Sequence, residues 1–145
     1  MISQTAEYAL RAVVHLASVE KAGTSSQTTQ QIADATLVPL GYLSKVLQGL
    51  SRAGVIVSQR GLGGGFSLAR AATAISVFDV VQKVDPIGRI AACPLGLEAH
   101  GAALCALHKS LDEAAAALEK SFRDTSIAAL VADPNRGATL CVSPQ

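Results

Sequence analysis

Two cysteines and two histidines in the C-terminal half are the residues best suited to metal or redox chemistry. Eleven residues separate Cys93 from Cys105, two more separate Cys105 from His108, and His100 lies between the cysteines. Two thiolates and two imidazoles can hold a [2Fe–2S] cluster, as in Rieske centres, or a tetrahedral zinc ion. The cysteines alone could act as a thiol switch. A cluster is our first hypothesis for the 93–108 loop, another metal or a thiol switch the second, and no ligand the third.

A long helix must position the second half of this site. An Ala-rich pattern predicts it over 106–124, and Cys105 and His108, three residues apart, then fall on one face at its start. Its apolar positions recur every three or four residues: Leu107, Leu111, Ala115, Leu118 and Phe122. Such a stripe, placed after a complete small domain, predicts pairing with a second copy as a homodimer. The alternative is a helix that folds back on its own domain.

Residues 38–70 predict a nucleic-acid-binding element. A helix pattern runs from Pro39 to Ala53 and stops at Gly54, and two short apolar strands, 55–57 and 66–68, flank a glycine-rich turn. Its buried face is expected to comprise Leu40, Leu43, Val46, Leu47 and Leu50. Helix, strand, tight turn and strand form the plan of a winged helix-turn-helix. We therefore expect a mainly α fold with a small β-hairpin wing.

Charge supports DNA binding by this stretch. No Asp or Glu occurs between Asp34 and Asp79, whereas Lys45, Arg52, Arg60 and Arg70 fall inside that interval. An acid-free surface can approach phosphates without repulsion from like charges.

The remaining pattern predicts four further helices. Helices are expected over 3–20 with Ser3 as N-cap, from Thr28 or Thr29 to about 35, over 77–84 after Ser76, and over 126–131. His15 lies in an apolar context within the first helix and is expected to be a packed side chain.

Composition limits the classes of protein. Half of the 145 residues are hydrophobic, only 3% are aromatic, and the net charge is +1. A local patch, not a global field, must therefore attract nucleic acid. Three cysteines without a recognisable secretion signal favour a reducing, cytoplasmic location, and no apolar run is long enough for a membrane span.

Taken in order, EYALRAVVHLA near the N-terminus, GYLSKVLQGLSRAGVI, the wing sequence RGLGGGFSLA and VFDVVQKVD closely resemble one family. It is the Rrf-type family of winged-helix transcriptional regulators, which includes the IscR- and NsrR-like proteins. The resemblance extends from Ile2 to about Val131. It implies a homodimeric, sequence-specific regulator, usually a repressor, that binds a double-stranded DNA operator and holds a cluster-binding loop beside its dimer helix.

The resemblance also implies the DNA contacts. Positions on the recognition helix that match Tyr42, Ser44 and Lys45 face base edges in that family, and those matching 60–65 lie against the backbone or minor groove. Ser44 stands where some members have an acid, so a different operator is expected. The candidate contacts are Tyr42, Ser44, Lys45, Gln48, Arg52, Arg60, Gly61, Gly63 and Gly64.

Family members that hold a cluster typically use three cysteines in this loop. Some add a His shortly after the third cysteine, or an acid on the first helix of the other subunit. Cys93, Cys105 and His108 match this pattern, and Glu7 is the acid candidate on the first helix. No cysteine occupies the middle position, where Ala99 and His100 stand. The expected cofactor is a [2Fe–2S] cluster held by the two cysteines and the two histidines, with zinc as the alternative metal.

The expected organisation is a DNA-binding domain over 1–85, a ligand loop over 86–105, a dimerisation region over 106–132 and a flexible tail over 133–145. Two other classes of function fit the sequence less well. A protein-interaction module that has lost its ligand would not need the basic face. An enzyme is not expected, because the chain has no catalytic triad pattern and its glycine run lacks the Lys of a phosphate-binding loop.

Overall fold

The computed structural model describes residues 1–97 and 103–134. Within them the chain forms helices and one antiparallel hairpin, in the order α1 (Gln4–Lys21), α2 (Thr29–Thr36), α3 (Leu40–Arg52), β1 (Ile56–Gln59), β2 (Gly65–Leu68), α4 (Val77–Val84), α5 (Ala106–Asp124) and α6 (Ile127–Ala132), with a 3-10 turn at Ala72–Ala74 before α4. The mainly α fold with a small β-hairpin is as predicted.

Hydroxyl side chains begin four of the helices. Ser3, Thr28, Ser76 and Ser126 each occupy the N-cap position and accept a hydrogen bond from the backbone N–H three residues later. Thr28 and Ser76 are part of full capping boxes, in which the third helical side chain returns a bond to the cap. These caps satisfy amide groups that a helix start otherwise leaves without partners, so the helix starts are encoded locally.

The core is built around α1, which packs against α2, α3, α4 and α6. Its small residues let the neighbouring helices approach closely, and Ala6, Ala9 and Ala12 are completely buried. His15 is also buried, at 8% exposure, with its Nε2 3.3 Å from Gln27 Oε1. It is therefore a packed side chain, as expected.

Helix α3 presents the predicted face to the core with one exception. Leu43, Val46, Leu47 and Leu50 are buried. Leu40, predicted to be buried, is 45% exposed, so that prediction was wrong. The helix begins at Leu40 with Pro39 in an extended conformation as its N-cap, which puts Leu40 at the first helical position, where it projects outward.

The hairpin pairs Ile56 with Leu68 and Gln59 with Gly65, and a single bridge between Gln27 and Phe66 adds the segment before α2 to its outer edge. A Cβ on Gly65, where φ is +148°, would lie 2.3 Å from the Gln27 carbonyl oxygen. Only glycine allows the two segments to approach so closely.

Helix α5 differs from every other long helix because none of its residues is buried within the protomer. Its C-terminal part reaches α4, and Phe122 packs at the edge of the core. The chain then returns through α6, where Ile127 is completely buried and its N–H donates to the Ile75 carbonyl at 2.8 Å. Helix α6 thus completes the core of the same protomer.

Candidate nucleic-acid interface and sensing site

The solvent face of α3 carries the candidate base-reading residues. Tyr42 is 58% exposed, and Lys45, Gln48 and Arg52 are exposed along the same side of the helix. Among the residues that the structure describes, Lys45, Gln48 and Arg52 form no ion pair or side-chain hydrogen bond. Ser44 differs from them, because it is half-buried and its hydroxyl donates to the Leu40 carbonyl at 3.0 Å. Its oxygen lone pairs remain available as acceptors.

Arg70 has a structural role despite its place in the acid-free interval. Its guanidinium donates to the Ala74 carbonyl at 3.0 Å and lies 3.5 Å from Asp79, the first acid after the interval. Partial burial opposes ionisation of Asp79, but hydrogen bonds with Ser76 and the charge of Arg70 outweigh it and lower the pKa of the carboxyl. Within the acid-free interval, the cations without an acidic partner in the described part of the chain are therefore Lys45 and Arg52 of α3 and Arg60 of the hairpin turn.

The turn between β1 and β2, residues 60–64, projects Arg60, Gly61 and Gly63 into solvent, and Leu62 at its tip is fully exposed. Gly61 and Gly63 adopt positive φ angles, and a Cβ on Gly64 would lie 2.6 Å from the Gln59 carbonyl oxygen. Ser26 Oγ donates to the Gly63 carbonyl at 2.6 Å. The glycine conformations and the hydrogen bond from Ser26 thus fix the shape of the exposed turn. Sequence reasoning missed the support from Ser26, because the two residues are 37 positions apart.

Helix α1 supports the exposed face of α3 through aromatic contact. The rings of Tyr8 and Tyr42 meet edge to face with centroids 6.2 Å apart, and the Arg11 guanidinium lies 5.8 Å from the Tyr8 ring centroid. Arg11 also forms an ion pair with Glu7 at 2.5 Å. Glu7, the candidate acid ligand, is thus bound to a cation of its own helix in the protomer.

In the candidate sensing site the structure brings Cys105 and His108 together. Cys105 is the N-cap of α5, with its Sγ 3.2 Å from His108 Nδ1, and both side chains are half-buried. Cys93 is also half-buried and lies in the segment that joins α4 to the loop. Cys105 and His108 can thus act together as two ligands, one soft sulfur and one imidazole nitrogen, which suits both iron–sulfur clusters and zinc.

Other predicted ligands do not join this pair in the described part of the protomer. His100 lies in 98–102, and Cys141 and most of the predicted tail lie in 135–145, all outside the described residues. Within 1–97 and 103–134, no three His, Cys, Asp or Glu side chains converge as a metal site would require. The pair therefore fits half of a four-ligand set, and a complete set needs further groups from the loop or a second protomer.

An ion-pair network that sequence reasoning missed fastens the base of the loop to α5. Arg89 donates to both carboxylate oxygens of Asp112, at 2.7 and 2.8 Å, and the Ile90 N–H donates to the same carboxylate at 2.8 Å. The hydrogen bond from Arg89 lowers the pKa of Asp112 to about 2, and the pKa of Arg89 is raised in turn. Arg89 and Asp112 are 23 positions apart, and no local pattern indicates the pair.

Taken together, a capped helix-turn-helix, a glycine-shaped wing and a face of unpaired cations define a winged-helix DNA-binding regulator. The Rrf2 family, described as "Iron-dependent Transcriptional regulator", matches residues 2–133. The chain belongs to this family, whose members are transcriptional regulators and not enzymes.

A curated relative is an Rrf2-like HTH-type transcriptional regulator of Rhodobacter capsulatus, 36% identical over 95 residues. The aligned part is 65% of this chain and 62% of that relative, so the chain spans less than two thirds of its length.

Solved structures share the fold. CymR of B. subtilis, described as a global cysteine regulator, superposes with a TM-score of 0.73 at 22% identity, over 90% of this chain and 95% of that one. IscR of T. potens gives 0.73 at 20% identity, over 90% and 85%. CymR of Staphylococcus aureus gives 0.70 at 24% identity, over 90% and 98%. In the described residues, no helix combines the length and the apolar character needed to cross a membrane.

Proposed function

We propose that this chain is a homodimeric repressor that binds a specific DNA operator through the solvent face of α3 and the 60–64 turn. The observation that carries the proposal is the face of unpaired cations formed by Lys45, Arg52 and Arg60. Salt-bridged surface cations are common, whereas cations grouped on a recognition helix and a wing without acids nearby match the charge of a DNA backbone.

Within this interface the residues divide by chemistry. Arg52 and Arg60 suit phosphates, and the turn glycines let the backbone approach the DNA closely. Lys45 and Gln48, with Tyr42 and the acceptor lone pairs of Ser44, suit base edges in the major groove.

Binding should be tested with labelled DNA from the promoter region of the chain's own gene. Lys45→Ala and Arg60→Ala should each weaken binding while the protein stays folded. Lys120→Ala is the matched control, because this lysine is also exposed but pairs with Asp124 on α5. Unchanged binding in both Lys45→Ala and Arg60→Ala would reject the interface.

The dimer is proposed from the apolar side of α5. Leu107 and Leu111 are 64% and 51% exposed, although α6 has already completed the protomer core. Two copies of α5 would cover each other's leucines about a two-fold axis and set the spacing of the two recognition helices. Sedimentation of Leu111→Glu tests this proposal: the variant should become monomeric with its helix content retained, and a variant that stays dimeric would contradict the role of α5.

The sensing function is proposed for 93–108. Cys93, Cys105 and His108 would hold a [2Fe–2S] cluster, completed by His100 or by Glu7 of the second protomer. Such a cluster would supply an electron acceptor that responds to redox state, iron or nitric oxide. If Glu7 of the second protomer completes the site, its ion pair with Arg11 would have to break before the carboxylate could bind the metal. The support is the Cys105–His108 contact and membership of a family described as iron-dependent.

A thiol-based regulator is the second candidate. The same 3.2 Å contact between Cys105 Sγ and His108 Nδ1 places a base beside a thiol. The fold is shared with CymR, described as a cysteine regulator.

Anaerobic purification with visible spectroscopy and metal analysis separates the two candidates. Iron, acid-labile sulfide and a chromophore lost in Cys93→Ala and Cys105→Ala support the cluster. A colourless protein whose operator affinity changes on oxidation supports the thiol switch, and bound zinc would indicate a metal site without redox chemistry.

A further inference from the structure

The segment between α4 and Cys93 is held at two points. Gln82 Oε1 accepts a hydrogen bond from the Ile87 N–H at 3.0 Å, at the end of α4. The second point is at Arg89 and Ile90, two and three residues beyond Ile87. There Asp112 of α5 accepts three hydrogen bonds of 2.7 to 2.8 Å, from the Arg89 side chain and the Ile90 backbone. A bidentate guanidinium–carboxylate pair with an added backbone donor fixes direction as well as distance.

The second point of attachment, at Asp112, lies close to the candidate ligands both on α5 and on the loop. On α5, Asp112 follows His108 by one turn and Cys105 by two, so the three residues share one face of the helix. On the loop, Cys93 is three residues beyond Ile90, a stretch that spans at most about 10 Å. One carboxylate thus joins the segment carrying Cys93 to the helix that carries Cys105 and His108.

We propose that Arg89 and Asp112 form a clamp that sets the position of Cys93 relative to Cys105 and His108. Both are positioning residues, and neither is assigned as a ligand. The value of the clamp to the protein rests on the proposed sensing function, but its existence does not.

The clamp also continues toward the DNA-binding half. Glu119, 3.6 Å from Arg89 Nη1, accepts from Arg123 at 2.8 Å. The Arg123 guanidinium lies 3.5 Å from the centroid of the Phe78 ring on α4, and α4 packs against α3. A chain of contacts therefore runs from the segment that carries Cys93 to the recognition helix.

Other ion pairs of α5 provide matched controls. Lys109–Glu113 and Lys120–Asp124 each connect residues four apart on the same exposed surface, and neither reaches another element. Asp112 differs from these acids because its side chain is only 19% exposed and its partners lie on the loop.

Alkylation of single cysteines tests the clamp in the full chain, with Cys141→Ser to remove the tail thiol. The reduced, metal-free protein is treated with iodoacetamide, and the rates at Cys93 and Cys105 are read by mass spectrometry. Asp112→Asn and Arg89→Gln should each accelerate alkylation of Cys93 by roughly two- to fivefold, the range expected for an exposed ion pair. The double variant should be no faster than the faster single variant, because both remove one interaction. Glu113→Gln should leave the rate unchanged.

Three results would overturn the clamp: no change at Cys93 in either single variant, independent effects that multiply in the double variant, or equal acceleration at Cys105. The last would mean that α5 had frayed, so circular dichroism accompanies each variant. Failure of the wild-type protein to bind operator DNA would reject the proposed function and leave the alkylation result intact.

Discussion

Helices α3 and α5 have similar apolar repeats but different surroundings. Leu43, Val46, Leu47 and Leu50 of α3 are buried in the protomer, whereas no residue of α5 is. Their charges differ in the opposite sense. Lys45 and Arg52 of α3 have no acidic partner among the described residues, while Lys109, Lys120 and Arg123 of α5 all do.

This difference indicates what each helix lacks. Helix α3 has a covered apolar face and uncompensated charge, so an anionic partner would complete it. Helix α5 has compensated charge and an uncovered apolar face, so an apolar partner would complete it. DNA is therefore the proposed partner of α3, and a second protomer is the proposed partner of α5.

The largest expected effect is a difference in stability between variants of the apolar faces of α3 and α5. Leu50→Ala removes a completely buried side chain of α3 and should lower the free energy of unfolding by about 2–5 kcal/mol. Leu111→Ala should instead cause a loss that is absent at low protein concentration and grows to a plateau as the concentration rises, because this leucine would be covered only in the proposed dimer. Urea unfolding at two protein concentrations measures both. A concentration-independent loss of similar size in Leu111→Ala would erase the distinction.

A smaller effect is expected at the wing. Gly65→Ala forces a side chain into a positive φ and against the Gln27 carbonyl, which should destabilise the protein by about 1–3 kcal/mol and weaken DNA binding. Gly88→Ala is the control, because a Cβ there meets no atom within 4 Å. Thermal unfolding of the two variants gives the comparison, and equal melting temperatures would show that the close approach at Gly65 is not required.

The smallest effect concerns acid stability. The pKa of Asp112 is lowered from 3.8 to about 2 by its hydrogen bond with Arg89, so the carboxylate stabilises the fold fully above about pH 4. That contribution is lost as the pH falls from about 4 to 2. Melting temperature should therefore fall less steeply over this window in Asp112→Asn than in the wild type. Equal slopes would show that Asp112 adds nothing to the pH dependence.

Local signals in the sequence were enough to predict most of the fold. Helix starts at Ser3 and Ser76 and the glycine turn depend on neighbours within a few residues, so they can be read directly. Leu40 was assigned to the core from spacing alone, and that assignment was wrong. Spacing does not show which turn of a helix extends beyond the neighbouring elements.

The candidate site was less accessible to sequence reasoning. Periodicity identified the outward residues of α3 and the pair Cys105–His108, which are close in the chain. The Arg89–Asp112 and Ser26–Gly63 contacts join residues far apart, and the role of Arg70 depends on Asp79, which lies nine positions further along the chain. Such contacts arise from packing, and no short sequence pattern specifies them.

The salt dependence of operator binding tests the central claim most directly. Fluorescence anisotropy would give the Kd over a range of salt concentrations for the wild type, the double variant Arg52→Ala/Arg60→Ala and the control Lys120→Ala. If both cations neutralise phosphates, the slope of log K against log salt should be smaller in the double variant by about 1.8, which is 0.9 for each contact. The control should keep the wild-type slope. A double variant with unchanged affinity and slope would contradict the assignment of α3 and the wing as the DNA-binding surface.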